Sequence, residues 1–142
     1  MVEVFLRSDS ERHAQYYQHD IRPSNDDPVY MKVTIRPHIW RPPTDVYETD
    51  DEVIVRVEIA GMQEEDFSII LDKQSLLVRG VRVDPAERRA YHQMEIPFGE
   101  FANEVELHHP IDVSRVEAVY NNGFLRISLP KARPQKIVIA DE

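Results

Sequence analysis

The sequence predicts an all-β sandwich over residues 44–130, preceded by an amino-terminal arm (residues 1–43) and followed by a carboxy-terminal extension (residues 131–142). From residue 45 onwards, apolar and polar side chains alternate with a period of two, as half-buried strands require. Short runs of this kind recur with turn residues between them, and no long segment shows the helical period. The pair Asn122-Gly123 separates two such runs and marks a hairpin.

The arm is expected to be mostly irregular because it holds half of the chain's ten prolines, which interrupt helices and strand ladders. A short helix is expected over residues 9–19 and a short strand over residues 30–35. The arm is also richer in apolar and aromatic side chains than a solvated tail needs. A flexible tail and an arm for assembly or binding are both open interpretations, and the composition favours the second.

The strands of the sandwich are predicted from the alternating pattern. In the first of them, one side is apolar and charged residues interleave; the apolar residues are Val53, Val55, Val57 and Ile59, and the charged ones are Glu52, Arg56 and Glu58. The predicted strands span residues 53–59, 67–71, 75–79, 101–107, 116–120 and 124–129. Gly80 is expected to end the third strand, and Asn122-Gly123 is expected to form a type I′ turn because both residues tolerate positive φ. Residues 83–93 contain a proline and a charged run, and they are expected to form a long loop.

Composition and charge exclude several classes of protein. The chain has 17 basic and 26 acidic side chains and a net charge of −9, which argues against a nucleic-acid partner. Without cysteine, it can form no disulfide, thiolate nucleophile or Cys-ligated zinc site. No apolar run approaches the roughly 20 residues of a membrane span. We therefore expect a soluble, cytoplasmic protein.

Signals for catalysis are weak, so we expect no enzyme activity, no cofactor and no metal. The glycines are isolated from one another and cannot form a phosphate-binding loop. His108-His109 is the only tempting metal pair, but adjacent residues at the end of a strand point to opposite faces. A solvated turn is the preferred interpretation for this pair and for the acidic runs at residues 50–52 and 64–66.

The carboxy-terminal extension carries an apolar triplet, Ile137, Val138 and Ile139, which we call the carboxy-terminal anchor. In an extended chain Ile137 and Ile139 project to the same side, about 6–7 Å apart. This spacing suits two neighbouring pockets along the edge of a sheet, as in strand addition. The alternative is a last strand that folds onto the chain's own sheet. The proline-containing polar spacer before the triplet favours a detached tail.

Several short segments of the sequence resemble motifs of the small heat-shock protein family. Its signature places an alanine, four residues, a glycine, an apolar residue and a leucine in order, and here the matching segment includes Ala118, Asn122, Gly123, Phe124 and Leu125. The carboxy-terminal anchor is similar to the family's isoleucine–x–isoleucine sequence, and residues 45–48, 59–62 and 65–67 resemble the opening of its alpha-crystallin domain. The resemblance covers about residues 40–139.

The resemblance implies an immunoglobulin-like antiparallel β-sandwich that assembles as a homodimer and then as a larger homo-oligomer. It also implies a chaperone that holds unfolding client proteins without ATP. In the bacterial, archaeal and plant branch, the long loop carries a strand that swaps into the partner subunit. The matching residues of the dimer loop in this chain are Val83, Arg88, Arg89, Tyr91 and Met94.

Client binding requires apolar surface that assembly can cover and subunit exchange can reveal. We expect the arm and the sheet edge that receives the carboxy-terminal anchor to supply this surface. The candidates in the arm are Phe5, Leu6, Tyr16, Tyr17, Tyr30, Met31, Ile35 and Trp40. The alternatives are a co-chaperone or adaptor that binds one folded partner, and a small-molecule enzyme built on a β-sandwich.

Overall fold

The computed structural model describes residues 1–6, 39–85, 87–133 and 138–140. These residues form an all-β sandwich, which confirms the predicted fold class. Two short 3₁₀-helices, Glu64–Asp66 and Val113–Arg115, are the helical elements of this part of the chain. The strands are β1 (Val4–Leu6), β2 (Thr44–Glu48), β3 (Glu52–Glu58), β4 (Phe67–Asp72), β5 (Ser75–Arg82), β6 (Gly99–Glu106), β7 (Glu117–Asn121) and β8 (Phe124–Pro130).

The strands form two four-stranded sheets, with strand orders β1-β4-β5-β6 and β2-β3-β8-β7. Strand β1 runs parallel to β4, whereas the other pairs of named strands are antiparallel. Without β1, the outermost strands are β4 and β6 in one sheet and β2 and β7 in the other. The sandwich therefore has two lateral openings between its sheets, and segments of the arm cover both of them.

The core lies between the sheets and follows from the alternation in the sequence. Val55 and Val57 of β3 are fully buried, whereas Arg56 between them is exposed. The same alternation places apolar residues of β4, β5, β6 and β8 on the inner face. The largest core side chains with almost no exposed surface include Phe101, Ile59, Ile69, Leu76, Leu125, Ile127 and Leu129.

Gly80 does not end its strand, so this prediction was wrong. Strand β5 continues through Gly80 to Arg82, and Gly80 pairs with Phe67 on one side and Phe101 on the other. A Cβ atom at this position would lie 2.6 Å from the carbonyl oxygen of Asp66 and 2.7 Å from the ring of Phe101. Glycine is therefore required because a ring and a backbone carbonyl approach the strand, and no turn is involved.

The predicted hairpin between β7 and β8 is confirmed. Asn122 has a φ of 52° and Gly123 a φ of 80°, and the flanking Asn121 and Phe124 form the last strand pair. Positive φ at both central residues is the geometry of a type I′ turn, whose twist matches that of the two strands. The carbonyl oxygen of Gly123 accepts a 2.8 Å hydrogen bond from the backbone of Ile59, which ties the hairpin to the chain after β3.

A long loop joins β5 to β6, as predicted, and its described residues contain no strand. Arg82 holds the base of this loop. Its guanidinium donates hydrogen bonds to the carbonyl oxygens of Pro97 and Ala60, the latter at 3.2 Å, and lies over the rings of Trp40 and Phe98. The base is therefore fixed to the sandwich, and the tip of the loop projects from it.

The two ends of the arm lie on the sandwich. Strand β1 was not predicted, and residues 39–43 lead directly into β2. The helix predicted over residues 9–19 and the strand predicted over residues 30–35 lie outside the described residues. A three-residue terminal strand has little alternation of its own, so its pairing with β4 leaves no local signal in the sequence.

Candidate functional site

The first lateral opening lies between β4 and β7, and we call it the β4–β7 edge. Residues 1–6, which we call the amino-terminal segment, lie in this opening. Val4 pairs with Ile69 of β4, and the backbone N–H of Val2 donates a 2.8 Å hydrogen bond to the carbonyl oxygen of Ala118 in β7. The segment therefore contacts the outermost strand of each sheet.

Side chains of the amino-terminal segment alternate across the β4–β7 edge. Val2 is only 4% exposed and belongs to the core, and Val4 packs against the core in a half-buried position. Glu3 between them is exposed. Phe5 and Leu6, two of the predicted client-binding residues, are 53% and 55% exposed. At this edge, Val2 and Val4 therefore cover the core, and the exposed Phe5 and Leu6 lie beside them.

A cleft of about 660 Å³ continues the β4–β7 edge beyond Leu6. Leu71 and Leu107 contribute apolar surface to it, and His108 and Lys73 contribute polar groups. The rest of the lining is Asp72, Gln74, His109, Pro110, Ile111 and Val113. An extended apolar segment that follows the edge can therefore continue into a partly apolar depression.

The second lateral opening lies between β2 and β6, and we call it the β2–β6 edge. Trp40 exchanges two 3.1 Å backbone hydrogen bonds with β6, one to the carbonyl oxygen of Glu100 and one from the N–H of Ala102. Its ring packs against Phe101 at 5.6 Å between centroids. Trp40 was predicted to bind clients, and the structure places it half-buried against the core.

Asn103 fixes the β2–β6 edge, and the sequence analysis missed it. This residue is 1% exposed, and its side-chain oxygen accepts a 3.1 Å hydrogen bond from Nε of Arg41. Its amide nitrogen donates to the hydroxyl of Thr44 and to the carbonyl oxygen of Pro42. Asn103 is a polar residue at an inward position of the alternating run 101–107. This position was the signal that could have revealed its buried hydrogen bonds.

The β5–β6 loop exposes apolar side chains along its length. Val83, Met94 and Tyr91 of the predicted dimer loop are all exposed, and so is the neighbouring Ile96. Arg88, also part of the predicted dimer loop, is exposed as well. The described part of the loop therefore presents an apolar surface that the single chain leaves uncovered.

Asp84 organises the polar side of this loop. Its carboxylate accepts hydrogen bonds from Nη2 of Arg89 at 2.5 Å and from the hydroxyl of Tyr91 at 3.2 Å. Arg89 also donates to the carbonyl oxygen of Pro85 at 2.8 Å. Desolvation and the hydrogen bond to Asp84 both raise the pKa of Tyr91. These contacts link Asp84, Pro85, Arg89 and Tyr91 in the first half of the loop.

The carboxy-terminal anchor extends away from the sandwich where it is described. Val138 is 82% exposed and Ile139 is 83% exposed. Ile137 lies outside the described residues. Val138 and Ile139 therefore do not form a last strand on the chain's own sheet, which was the alternative interpretation.

The residues of the family signature lie on and around the β7–β8 hairpin. Ala118 and Leu125 are fully buried, and the carbonyl oxygen of Ala118 accepts the hydrogen bond from Val2 at the β4–β7 edge. Phe124 is exposed, and the guanidinium of Arg56 lies over its ring at 5.9 Å. The signature therefore includes the hairpin turn, two core side chains and one residue of this edge.

Polar groups near the ends of β2 and β8 form a small ionic cluster. Glu48 accepts 2.7 Å contacts from Nζ of Lys131 and from Nε2 of His109. The hydrogen bond from Lys131 is the main reason why the pKa of Glu48 lies below its usual value, and His109 acts in the same direction.

Within the described ranges, no group of three His, Cys, Asp or Glu side chains could hold a metal ion. Among the same residues, no helix has the length and apolar character needed to cross a bilayer.

The remaining predicted client-binding residues cannot be placed on these surfaces. They are Tyr16, Tyr17, Tyr30, Met31 and Ile35, and all of them lie outside the described residues. Of the eight candidates in the arm, the structure brings Phe5 and Leu6 together at the β4–β7 edge and places Trp40 at the opposite edge.

Known proteins resemble both the sequence and the fold. A model of the Hsp20/alpha crystallin family matches residues 45–140. The chain is 28% identical over 109 residues to a probable 15 kDa heat shock protein of Leptospira interrogans, covering 75% of this chain and 84% of that protein. Heat shock protein 16.0 from Schizosaccharomyces pombe has a similar structure, with a TM-score of 0.61 and 29% identity over 72% of this chain and 99% of that chain. A small heat-shock protein from Xylella fastidiosa has the same fold, with a TM-score of 0.62 and 22% identity over 73% of this chain and all of that chain. Because the family model spans more than half of its residues, the chain belongs to the Hsp20/alpha-crystallin family of small heat shock proteins.

Proposed function

We propose that this protein is an ATP-independent chaperone that assembles into homo-oligomers and binds partly unfolded proteins, which prevents their aggregation. The observation that carries the proposal is the placement of exposed apolar side chains at three separate sites on a single chain. Phe5 and Leu6 lie at the β4–β7 edge, Met94 and Ile96 on the β5–β6 loop, and Ile139 on the carboxy-terminal extension.

The physical basis of holding is competition by mass action. A surface that binds the unfolded state of a client, and not its native state, lowers the concentration of chains that can associate with one another. Such a surface must be covered when no client is present, because a permanently exposed apolar patch promotes aggregation. The net charge of −9 helps to keep a loaded complex in solution.

The loop between β5 and β6 is proposed as the dimer contact. Its apolar residues Val83, Tyr91, Met94 and Ile96 are exposed in the single chain, and Arg82 fixes the base of the loop to the sandwich. A partner subunit that covers these side chains would remove their apolar surface from water. The fixed base lowers the ordering cost of the loop when the dimer forms.

The carboxy-terminal anchor is proposed to join dimers into the larger oligomer. Burial of Ile139 and Ile137 on a sheet edge of another subunit contributes roughly 1.5–3 kcal/mol for each side chain, before the cost of ordering the tail is subtracted. One such contact is weak, but many contacts in one assembly act together. We further propose that the protein works in the cytoplasm without a cofactor, a metal or a catalytic step.

The chaperone activity can be tested by light scattering of a heat-labile client without nucleotide. We expect scattering to fall when the chain approaches a stoichiometric ratio to the client. The matched control is an equal mass of an inert protein of similar charge. Scattering that is the same with the chain as with this control would contradict the proposal, and a stable complex with one folded partner would support the adaptor alternative.

A further inference from the structure

The sheet formed by β1, β4, β5 and β6 has one side that points away from the core, which we call the outer sheet face. The strand register places Phe5 opposite Ile70, and it places Ile70 opposite Leu77. Leu77 in turn lies opposite Glu104 of β6. Neighbouring strands are about 5 Å apart, so these four residues form one row of roughly 15 Å across the outer sheet face.

The apolar part of this row lies outside the core. Phe5 is 53% exposed, and Ile70 and Leu77 are half-buried, whereas the neighbouring Ile69 and Leu76 are fully buried. Neither Ile70 nor Leu77 belongs to the apolar cluster between the two sheets. Adjoining apolar side chains on the outside of a sheet mark a surface on which another polypeptide can bind.

Three carboxylates border the apolar row along β6. Glu100, Glu104 and Glu106 all point outward and are exposed, and we call them the β6 carboxylates. None of the ion pairs among the described residues includes a β6 carboxylate or Arg79, which is exposed on the same face. The outer sheet face therefore combines an apolar row with an excess of negative charge at one end.

We propose that the outer sheet face binds segments of unfolded client proteins in which a short apolar run adjoins basic residues. The apolar run would lie on Phe5, Ile70 and Leu77, and the basic side chains would reach the β6 carboxylates. Folded proteins bury most of their apolar runs, so such a segment is presented mainly by the unfolded state. The inference rests on the proposed chaperone function, and it adds the class of client segment and the surface that holds it.

Charge complementarity identifies the occupant of this surface. Each exposed pair of opposite charges contributes about twofold in affinity, so basic residues next to the three β6 carboxylates together contribute about tenfold. An acidic client segment would be repelled by the same groups. The net charge of −9 also disfavours a second copy of this chain as the occupant, because two acidic surfaces repel each other.

The test measures the affinity of the full chain for two fluorescent peptides by fluorescence anisotropy. Both peptides contain the same short run of leucines, which is followed by lysines in one peptide and by glutamates in the other. We expect the lysine peptide to bind at least about tenfold more tightly than the glutamate peptide. The difference should shrink as salt is added, because salt screens exposed charges.

Two kinds of variant separate the charged part of the surface from its apolar part. Glu100→Gln, Glu104→Gln and Glu106→Gln in one chain should weaken binding of the lysine peptide about tenfold and should not weaken binding of the glutamate peptide. Leu77→Ser should weaken binding of both peptides by the same factor, because both lose the same apolar contact. Should Leu77→Ser fail to fold, the glutamine variant, which alters only exposed side chains, decides alone.

The matched control removes three exposed carboxylates from the other sheet and its turn. It carries Asp50→Asn, Asp51→Asn and Glu117→Gln, and it should bind the lysine peptide as tightly as the unaltered chain. An equal loss in the control and the glutamine variant would overturn the proposal, because net charge alone would then attract the peptide.

Two further results would also overturn the proposal. One is equal affinity of the two peptides for the unaltered chain. The other is failure of the lysine peptide to bind, which would indicate that another part of the chain or a second copy covers the outer sheet face. The light-scattering test of chaperone activity uses no peptide, so failure of this inference is distinguishable from failure of the proposed function.

Discussion

The two lateral edges of the sandwich are covered in different ways by two ends of the same arm. At the β2–β6 edge, residues 40–44 are held by backbone hydrogen bonds, ring packing and a buried amide. At the β4–β7 edge, the amino-terminal segment relies on a short parallel pairing and the burial of Val2. The comparison indicates that the first cover depends on directional polar contacts as well as packing, whereas the second depends on a short strand pairing and one buried valine.

The difference comes from the kind of group that each edge buries. Asn103 is buried with partners on three residues, and removing one side of such a network leaves polar groups without hydrogen bonds. The contacts of Val2 and Val4 are apolar and have no preferred direction. A different apolar residue can therefore replace either valine without leaving a hydrogen-bonding group unpaired. The β4–β7 edge is therefore expected to tolerate apolar replacement better than the β2–β6 edge tolerates loss of Asn103.

The largest expected effect is on assembly. Replacing Ile137 and Ile139 by alanine should reduce the oligomer to dimers, because each subunit loses the side chains that we propose to bind a sheet edge of another subunit. Size-exclusion chromatography with mass determination measures the particle. Val138→Ala, whose side chain projects to the other side in an extended chain, is the control and should keep the native size. An unchanged mass in the double variant would remove the anchor from the account.

Substitutions at the two edges are expected to have intermediate effects, and the loss in the free energy of unfolding should be larger at the β2–β6 edge than at the β4–β7 edge. In the Ile137→Ala/Ile139→Ala background, Asn103→Ala should lower the free energy of unfolding by roughly 1–3 kcal/mol, because it breaks a buried polar network. Val2→Ala should cost less, because it removes apolar atoms at the rim of the core and leaves no polar group without a partner. Urea denaturation measures both values. Equal losses would show that the two covers are equally permanent.

The smallest expected effect is a pH dependence from the ionic cluster at the end of β2. The pKa of Glu48 is lowered, chiefly by the hydrogen bond from Lys131, so the folded state favours the ionised carboxylate. This contribution is complete above the usual pKa of 4.5 and is lost as the pH falls through the folded value. The urea midpoint of the unaltered chain should fall more on acidification than that of Glu48→Gln.

The sequence predicts the parts of the fold that depend on local patterns. Alternation locates the strands of the sandwich, and Asn122-Gly123 specifies its hairpin, because both signals lie within a few residues. Strand β1 and Asn103 depend on partners far along the chain. Arg41 and Asn103, for example, are 62 residues apart. Gly80 was misinterpreted for the same reason, since the ring that excludes a side chain there belongs to Phe101 in the next strand.

Hydrogen–deuterium exchange tests the contrast between the two edges most directly. It should be recorded on the Ile137→Ala/Ile139→Ala variant, in which the proposed contacts of the anchor are absent. We expect the amides of residues 2–6 to exchange faster than those of Trp40 and Ala102, because the first segment is held by a short strand pairing and the second by two backbone hydrogen bonds, ring packing and the neighbouring Asn103 network. Equal protection of the two segments would contradict the contrast between the edges.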